Sequence, residues 1–217
     1  PSVSVAKVGD DISKVGDTVN YTITLTNGSS ADTPAMNCIA DDSLLGVVFN
    51  GVLPLGDTVL NESYVVLPDD PDPLPNTVSL DCSVAEFPNS FDLSDGHETD
   101  LVHPSFTVMK SCVADPIPAG TSANFFVDIA NTGDYPLPIN VDDPDLEYNA
   151  DFDRPVAPAP CTTADFEAGN VDGCLRLELS TPEPVKSDFE NWVYVTSVLG
   201  EPIPNELAGE SGDICEV

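Results

Sequence analysis

The chain is poor in positive charge. Of its 217 residues, six are Lys or Arg and 38 are Asp or Glu, so the formal net charge is −32. Binding to nucleic-acid phosphates or to anionic lipid headgroups needs clustered Lys or Arg, and we therefore expect neither as a partner. Such a surface attracts cations, and its self-repulsion is screened within about 8 Å at physiological salt and about 3 Å at 1 M. The composition suits a saline or calcium-containing setting, with salt adaptation alone as the alternative.

Long apolar runs are also missing. The best candidate, Leu44–Leu55, is interrupted by Asn50, Gly51 and Pro54, and it is shorter than the ~18 residues that a spanning helix needs. We therefore expect no membrane insertion. The hydrophobic content of 41% is nevertheless sufficient for packed cores. The chain begins at Pro1 without an initiator Met or a signal-peptide pattern, which predicts a processed chain or an excised fragment.

Histidine is scarce and no C-x-x-C pair occurs, so the sequence does not predict a zinc site. The segment His97–His103 superficially resembles H-E-x-x-H, but its two histidines lie six apart in a predicted strand, a spacing that cannot present both to one zinc ion. No G-x-S-x-G elbow is present. We expect that the protein is not an enzyme and has no certain cofactor. Six cysteines, an even number, instead predict disulfides and a secreted or cell-surface location.

What the sequence does contain is a repeat of alternating strands. In Gly16–Ser29, apolar residues at every second position predict a strand with one buried face. The pattern returns in Gly120–Gly133, where Asn124-Phe125 corresponds to Asn20-Tyr21. The other matching blocks are 1–7 with 104–110, 16–18 with 120–122, 27–28 with 131–133, 38–44 with 140–146, and 76–84 with 191–199. Matching blocks in the same order predict a duplicated domain.

The boundary is predicted at His103-Pro104, which gives domains 1–103 and 104–217 joined by a tight, Pro-containing connection. Short alternating segments separated by turns predict an all-β fold with one antiparallel β-sandwich in each domain. The second domain carries a longer middle insertion, Asp143–Gly173. Trp192 is predicted to pack in the core of its sandwich.

The residues Val5-Ala6-Lys7, the core Gly16–Asn27 and Asp41-Asp42 resemble the bacterial and archaeal "conserved repeat domain", also described as domain of unknown function eleven. The resemblance is good in the first half of domain one and looser in domain two. It implies two tandem immunoglobulin-like sandwiches in a surface stalk, filament, sheath or adhesin. The family implies no catalytic residues, and the cysteines and the insertion depart from its pattern.

Six cysteines allow fifteen pairings, and the sequence alone does not choose among them. We favour Cys38–Cys82 as a link between the two sheets of domain one. If the domains are immunoglobulin-like, the first strand can lie beside the last, which favours Cys112–Cys215. Cys161–Cys174 would close the insertion locally. The alternative is that cysteines link neighbouring subunits.

Acidic pairs recur at one repeat position and also cluster in a proline-rich loop. Calcium prefers six to eight oxygen ligands, often from such loops, so calcium or another divalent cation is a candidate ligand. No EF-hand pattern is present, and the alternative is a solvated, turn-forming role. The candidate ligands are Asp41, Asp42, Asp142, Asp143, Asp69, Asp70 and Asp72.

Three N-x-S/T sequons, at Asn20, Asn27 and Asn61, predict glycosylation of at least one site. Lys7 and Lys110 occupy equivalent first-strand positions. Some surface sandwiches form a lysine–asparagine isopeptide bond from such a strand, with a last-strand Asn and a nearby acid. The predicted last strands, 98–102 and 213–217, contain no Asn, so a solvated or ion-paired lysine is the favoured interpretation.

These features predict a structural subunit of an extracellular filament, sheath or cell-surface layer. Assembly would use unpaired strand edges, including strand donation by the N-terminal residues Pro1, Ser2, Val3, Ser4 and Val5. The alternative is an adhesin or carbohydrate-binding module. That function would need exposed aromatic residues in one loop cluster, for which the candidates are Tyr135, Tyr148 and Phe152.

Overall fold

A computed structural model describes residues 1–84, 88–157, 160–167, 171–200, 203 and 206–217. These residues form an all-β structure whose described part contains one short α-helix, α1 (Thr163–Glu167), and one 3₁₀ turn, Pro144–Leu146. The chain divides into two compact units, Pro1–Leu101 and Val102–Val217. This division lies close to the boundary that the sequence predicts at His103-Pro104.

The described residues of the first unit form eight strands in two sheets. One sheet has the order β1-β3-β6, and the other has the order β2-β8-β7-β4-β5. All described pairings in this unit are antiparallel except the short parallel contact between β2 and β8. The strands are β1 (Val3–Gly9), β2 (Ile12–Ser13), β3 (Thr18–Asn27), β4 (Met36–Asp42), β5 (Gly46–Val52), β6 (Gly56–Val65), β7 (Leu74–Val84) and β8 (Ser90–Leu101).

In the second unit the part of the chain that the structure describes forms seven strands, again in two sheets, with the orders β13-β10-β9 and β12-β11-β14-β15. If the short β2 is set aside, this is the strand order of the first unit. The duplication in sequence therefore extends to the topology. The strands are β9 (Phe106–Cys112), β10 (Asn124–Asn131), β11 (Leu137–Asp143), β12 (Tyr148–Arg154), β13 (Cys174–Ser180), β14 (Phe189–Val198) and β15 (Glu206–Cys215).

Each unit buries the apolar half of its alternating strands. In β7 every second residue, from Leu74 to Val84, is buried and the residues between are exposed. Because successive side chains of a strand point to opposite faces, this alternation gives each sheet one apolar face. Side chains of β3 and β7, which belong to different sheets, share one hydrophobic cluster in the first unit. Side chains of β10 and β14 do the same in the second unit.

The three disulfides join the pairs that the sequence favours, although one has a different role from the one expected. Cys38 and Cys82 are directly opposite each other in neighbouring strands of one sheet, with Cα atoms 4.1 Å apart. The prediction that this bond ties two sheets together is therefore wrong. Cys112–Cys215 does connect strands of different sheets, β9 and β15.

The third disulfide, Cys161–Cys174, joins residues 13 positions apart. The predicted insertion Asp143–Gly173 is only partly a loop, because β12 lies within it and pairs with β11 along seven residues. The equivalent strand in the first unit is β5, so the additional segment begins after Arg154. Its residues 158–159 and 168–170 lie outside the described part of the chain.

Trp192 is 41% exposed, so the prediction that it packs in the core is wrong. Its neighbours Asn191 and Val193 are buried, and the pleat therefore directs Trp192 to the opposite face of β14. There its ring covers Gly212, its partner on β15. A Cβ at Gly212 would approach the indole to 2.5 Å, which explains the glycine at this position.

Candidate functional site

The second unit contains a buried group of one amine, one carboxylate and one carboxamide. Lys110 lies in β9, and its Nζ donates a hydrogen bond to Oδ2 of Asp143 at the end of β11. Oδ1 of the same carboxylate accepts a hydrogen bond from Nδ2 of Asn191 in β14, at 3.0 Å. The side chains of Lys110 and Asp143 are fully buried, and Asn191 is 0% exposed. One carboxylate therefore holds the amine and the amide on its two oxygens.

The first unit contains the same three residue types at equivalent positions, with a different set of hydrogen bonds. Lys7 in β1 donates to Oδ2 of Asp42 at the end of β4, and both side chains are fully buried. Oδ1 of Asp42 accepts from the backbone amides of Leu44 and Leu45 at 3.1 and 3.2 Å. Asn76 in β7 is 1% exposed, and its Oδ1 accepts a hydrogen bond from the Ser43 hydroxyl at 3.0 Å.

Strand register explains why these residues meet. In the first unit Asp42 is opposite Val78, and Asn76 lies two residues before Val78 on the same face of β7. In the second unit Asp142 is opposite Tyr194, which sets Asp143 opposite Val193, two residues after Asn191. The two groups are thus equivalent positions of the repeat. We call Lys7–Asp42–Asn76 and Lys110–Asp143–Asn191 the Lys–Asp–Asn clusters.

An aromatic ring covers each lysine. Nζ of Lys7 lies 4.5 Å from the centre of the Tyr21 ring, and Nζ of Lys110 lies 4.8 Å from the centre of the Phe125 ring. Both rings come from the strand beside the lysine, β3 or β10, and both are buried. A ring face attracts a cation and also excludes water from it.

Burial lowers the pKa of Lys7 and of Lys110, and the hydrogen bond to the aspartate opposes this shift without cancelling it. The cause is the loss of hydration, which disfavours the charged form of an amine in an apolar surrounding. Each cluster therefore contains a lysine that gives up its proton more readily than an exposed lysine, next to a carboxylate that can accept it.

The Asp clusters predicted as calcium ligands have other partners. In each Asp-Asp pair the second aspartate, Asp42 or Asp143, belongs to a Lys–Asp–Asn cluster. The first aspartate points to the opposite face of its strand, and in the first unit this residue, Asp41, is exposed. Asp70 accepts from the Tyr64 hydroxyl and the Leu67 amide, and Asp72 accepts from the Leu101 amide. Asp69 is exposed. Within the described ranges the structure brings together no group of three or more His, Cys, Asp or Glu side chains suited to a metal ion.

Two of the three sequons are exposed, at Asn20 and Asn61. Asn27 is only 6% exposed, so its side chain is buried and this sequon is not accessible in the folded unit. Its Nδ2 donates to the carbonyl of Leu53 and its Oδ1 accepts from the amide of Ser29. Asn131, its repeat equivalent, likewise accepts from an amide two residues later and donates to loop carbonyls. In each unit this asparagine therefore holds a loop in position through its side-chain hydrogen bonds.

Asn27→Ala is expected to lower the free energy of unfolding by about 1–3 kcal/mol, because it removes a buried donor from the Leu53 carbonyl. Asn61→Ala is the matched control, since Asn61 is exposed and contacts Thr22 at 3.3 Å; a change within about 0.5 kcal/mol is expected there. Denaturant unfolding of both variants measures the difference. Equal losses would show that the Asn27 contacts do not stabilise the fold.

The remaining predicted residues are not members of the clusters, although His97 is opposite Asn76 in the β7–β8 pairing and the centre of its ring lies 6.3 Å from that of Tyr21. His97 contacts the carbonyl of Asp10, and His103 contacts Asp134. Tyr148 and Phe152 are partly buried against the hydrophobic cluster of the second unit, so they do not form an exposed aromatic group with Tyr135. The N-terminal strand β1 pairs with β3 of its own unit.

Sequence reasoning did not identify Asn76 and Asn191. The predicted isopeptide pattern has its asparagine in the last strand of each unit, whereas Asn76 and Asn191 lie in the strand before it, β7 or β14. The repeat contained the signal, because the blocks 76–84 and 191–199 both begin with Asn.

A scan against models of known protein families gave no match, and no curated protein matches the chain in sequence. Among the described residues, no helix has the length and apolar character needed to cross a membrane. Evidence for function therefore comes from the two units themselves.

Proposed function

We propose that this chain is a structural subunit of an extracellular filament, sheath or cell-surface layer, built from two tandem immunoglobulin-like sandwiches. The observation that carries the proposal is the duplication. Two units have the same strand order, and each has one buried Lys–Asp–Asn cluster at the same position of the repeat. Repeating one rigid module is how chains extend over distance.

The strand order supports the immunoglobulin-like assignment. Sheets of three and four strands that share a core, with successive strands passing between them, are typical of this class of sandwich. In the first unit β2 adds a short fifth strand to the larger sheet. The resemblance of Gly16–Asn27 to the conserved repeat domain points in the same direction.

The disulfides support an oxidising location, secreted or at the cell surface. All six cysteines are paired and none is free. Structural disulfides persist outside the reducing cytosol.

Self-association is supported by two strand edges of the first unit that have no partner strand among the residues that the structure describes. β5 is the last strand of one sheet and β6 is the last strand of the other, and only residues 53–55 separate them in sequence. Both strands expose valines, namely Val47, Val52, Val59 and Val65, which are between 51% and 60% exposed. An edge strand offers backbone donors and acceptors to a second copy, and the valines add apolar area to the contact.

Electron microscopy and light scattering of the purified chain test this proposal. We expect assembly to increase with salt or calcium, because screening reduces repulsion between copies of net charge −32. A chain that stays a monodisperse monomer at every salt and calcium concentration would contradict the proposal.

The double variant Val52→Lys/Val59→Lys is expected to abolish assembly, since charged lysines on edge strands oppose strand pairing. Ile39→Lys/Val198→Lys is the control for the added charge, because both residues are exposed and lie on β4 and β14, which have a neighbouring strand on each side. Assembly of the double variant at the wild-type level would rule out the β5 and β6 edges as the contact.

A further inference from the structure

In each unit an amine, a carboxyl group and a carboxamide are buried together away from water. A lysine Nζ contacts one oxygen of an aspartate in both units, and in the second unit the other oxygen holds the asparagine amide at 3.0 Å. Burying three polar side chains together costs free energy unless each is hydrogen-bonded or paired. This chain nevertheless buries the same three residue types at equivalent positions in both units.

We propose that Lys7 and Asn76, and likewise Lys110 and Asn191, become joined by an intramolecular amide bond between Nζ of the lysine and Cγ of the asparagine. The aspartate of each cluster, Asp42 or Asp143, transfers the protons. The ion pair seen in the structure is then the arrangement that precedes bond formation.

The residue types decide which group is the acyl donor. Amide formation needs a group that can accept a proton from the attacking amine and deliver a proton to the leaving group. A carboxyl group does both, whereas a carboxamide does neither at neutral pH. The aspartate therefore suits the proton-transfer role, and the asparagine supplies the carbonyl carbon.

The surroundings favour the reaction. Only a neutral amine is a nucleophile, and a lysine desolvated in an apolar site is activated in this way. Burial lowers the pKa of both lysines. The ring of Tyr21 or Phe125 covers each amine, which keeps competing water away.

A second observation concerns the hydrogen bonds of the two asparagine side chains, which are incomplete among the described residues. Oδ1 of Asn191 is buried and has no hydrogen-bond partner among the residues that the structure describes, and the same holds for Nδ2 of Asn76. Buried polar atoms without partners are rare in folded proteins, and each needs an explanation. Loss of the Nδ2 group as ammonia would remove one of these atoms.

The atoms balance without a further reactant. The ammonium passes a proton to the aspartate, the neutral Nζ attacks Cγ of the asparagine, and a tetrahedral intermediate forms. The bond between Cγ and Nδ2 then breaks, and the aspartate returns protons to the departing nitrogen. The lysine ammonium and the asparagine amide become one secondary amide and one ammonium ion, while the aspartate ends as the carboxylate with which it began.

Each proposed amide bond would link the two sheets of its unit. The two units differ in whether a disulfide already links those sheets. β1 and β7 belong to different sheets, as do β9 and β14. In the first unit the disulfide lies within one sheet, so the Lys7–Asn76 amide would be its covalent connection between the sheets. In the second unit it would add to Cys112–Cys215, which already connects them.

Intact mass spectrometry of the full chain, after reduction and denaturation, tests the proposal. We expect a mass below that of the sequence by two molecules of ammonia. Digestion should yield two branched peptides, one that joins the segments around Lys7 and Asn76 and one that joins those around Lys110 and Asn191. A mass equal to that of the unmodified sequence would overturn the proposal, and the clusters would then contain only buried ion pairs. Loss of water instead of ammonia would overturn the assignment of asparagine as acyl donor and point to the aspartate.

Variants separate the roles of the three groups. Asn191→Ala removes the acyl donor of the second unit, and Asp143→Ala removes the proton-transfer group while keeping the lysine and the asparagine. Each should lose one ammonia instead of two, and the remaining bond in the first unit serves as the internal reference. Asn149→Ala, at an exposed position of β12, should lose two. Two ammonia losses in Asp143→Ala would show that the aspartate takes no part.

Discussion

Asp42→Ala is expected to lower the free energy of unfolding of the first unit by at least about 3–5 kcal/mol, the usual cost of leaving one partner of a buried ion pair alone, because the variant also cannot form the proposed Lys7–Asn76 amide. The carboxylate is the partner of the fully buried Lys7 amine and also accepts from the backbone amides of Leu44 and Leu45. Its removal leaves a buried lysine and two amides without their acceptor. Denaturant unfolding measures the loss.

The adjacent Asp41 provides a matched control, since it has the same charge and the same strand but an exposed side chain. Asp41→Ala is expected to change the free energy of unfolding by less than about 0.5 kcal/mol. The double variant Lys7→Met/Asp42→Leu should be more stable than Asp42→Ala, because it removes both buried charges together. Equal effects of Asp41→Ala and Asp42→Ala would contradict the assignment of Asp42 as the partner of Lys7.

Replacement of Cys112 and Cys215 by alanine is expected to lower the free energy of unfolding by about 4–5 kcal/mol, the largest effect among the three disulfides. The bond spans 103 residues, nearly the whole second unit, and it joins strands of different sheets. Closing a long loop restricts the unfolded chain more than closing a short one. Denaturant unfolding under non-reducing conditions measures this loss.

Cys161→Ala/Cys174→Ala is the comparison, because that bond spans only 13 residues. Loop-closure entropy gives about 3 kcal/mol for a loop near this length, so the second unit should retain more stability. If the short-range pair costs as much as Cys112–Cys215, loop closure does not account for the stabilisation.

Much of the fold could be predicted because it depends on local alternation. The period of two in Gly16–Ser29 and its return in Gly120–Gly133 indicated β3 and β10 and the duplication. Alternation does not specify which strands are neighbours. For that reason the alternation did not show that the Cys38–Cys82 disulfide joins two neighbouring strands of one sheet, as the strand register does. The place of Trp192 in a late strand does not determine which face it occupies, and the alternation sets it on the face opposite that of the buried Asn191 and Val193.

The candidate site was harder to predict, because its members come from three separate strands. The sequence shows that Lys7 and Lys110 are equivalent and that each unit has an Asp-Asp pair. It does not show that the lysine and one aspartate of each unit are in contact. Only the register shows that Asp42 and Asp143 face inward while Asp41 points outward. Buried lysines are rare in folded proteins, and nothing local in the sequence indicates that these two are covered by Tyr21 and Phe125.

Pulling a single chain by its two ends under reducing conditions tests the central claim most directly, namely that this is a mechanical module in which each unit is closed by its Lys–Asp–Asn cluster. The account predicts that the segments 8–75 and 111–190 do not extend, because the amide bonds carry the force past them. The released length would then come only from the remaining residues. Extension of both units over their full length would contradict the account.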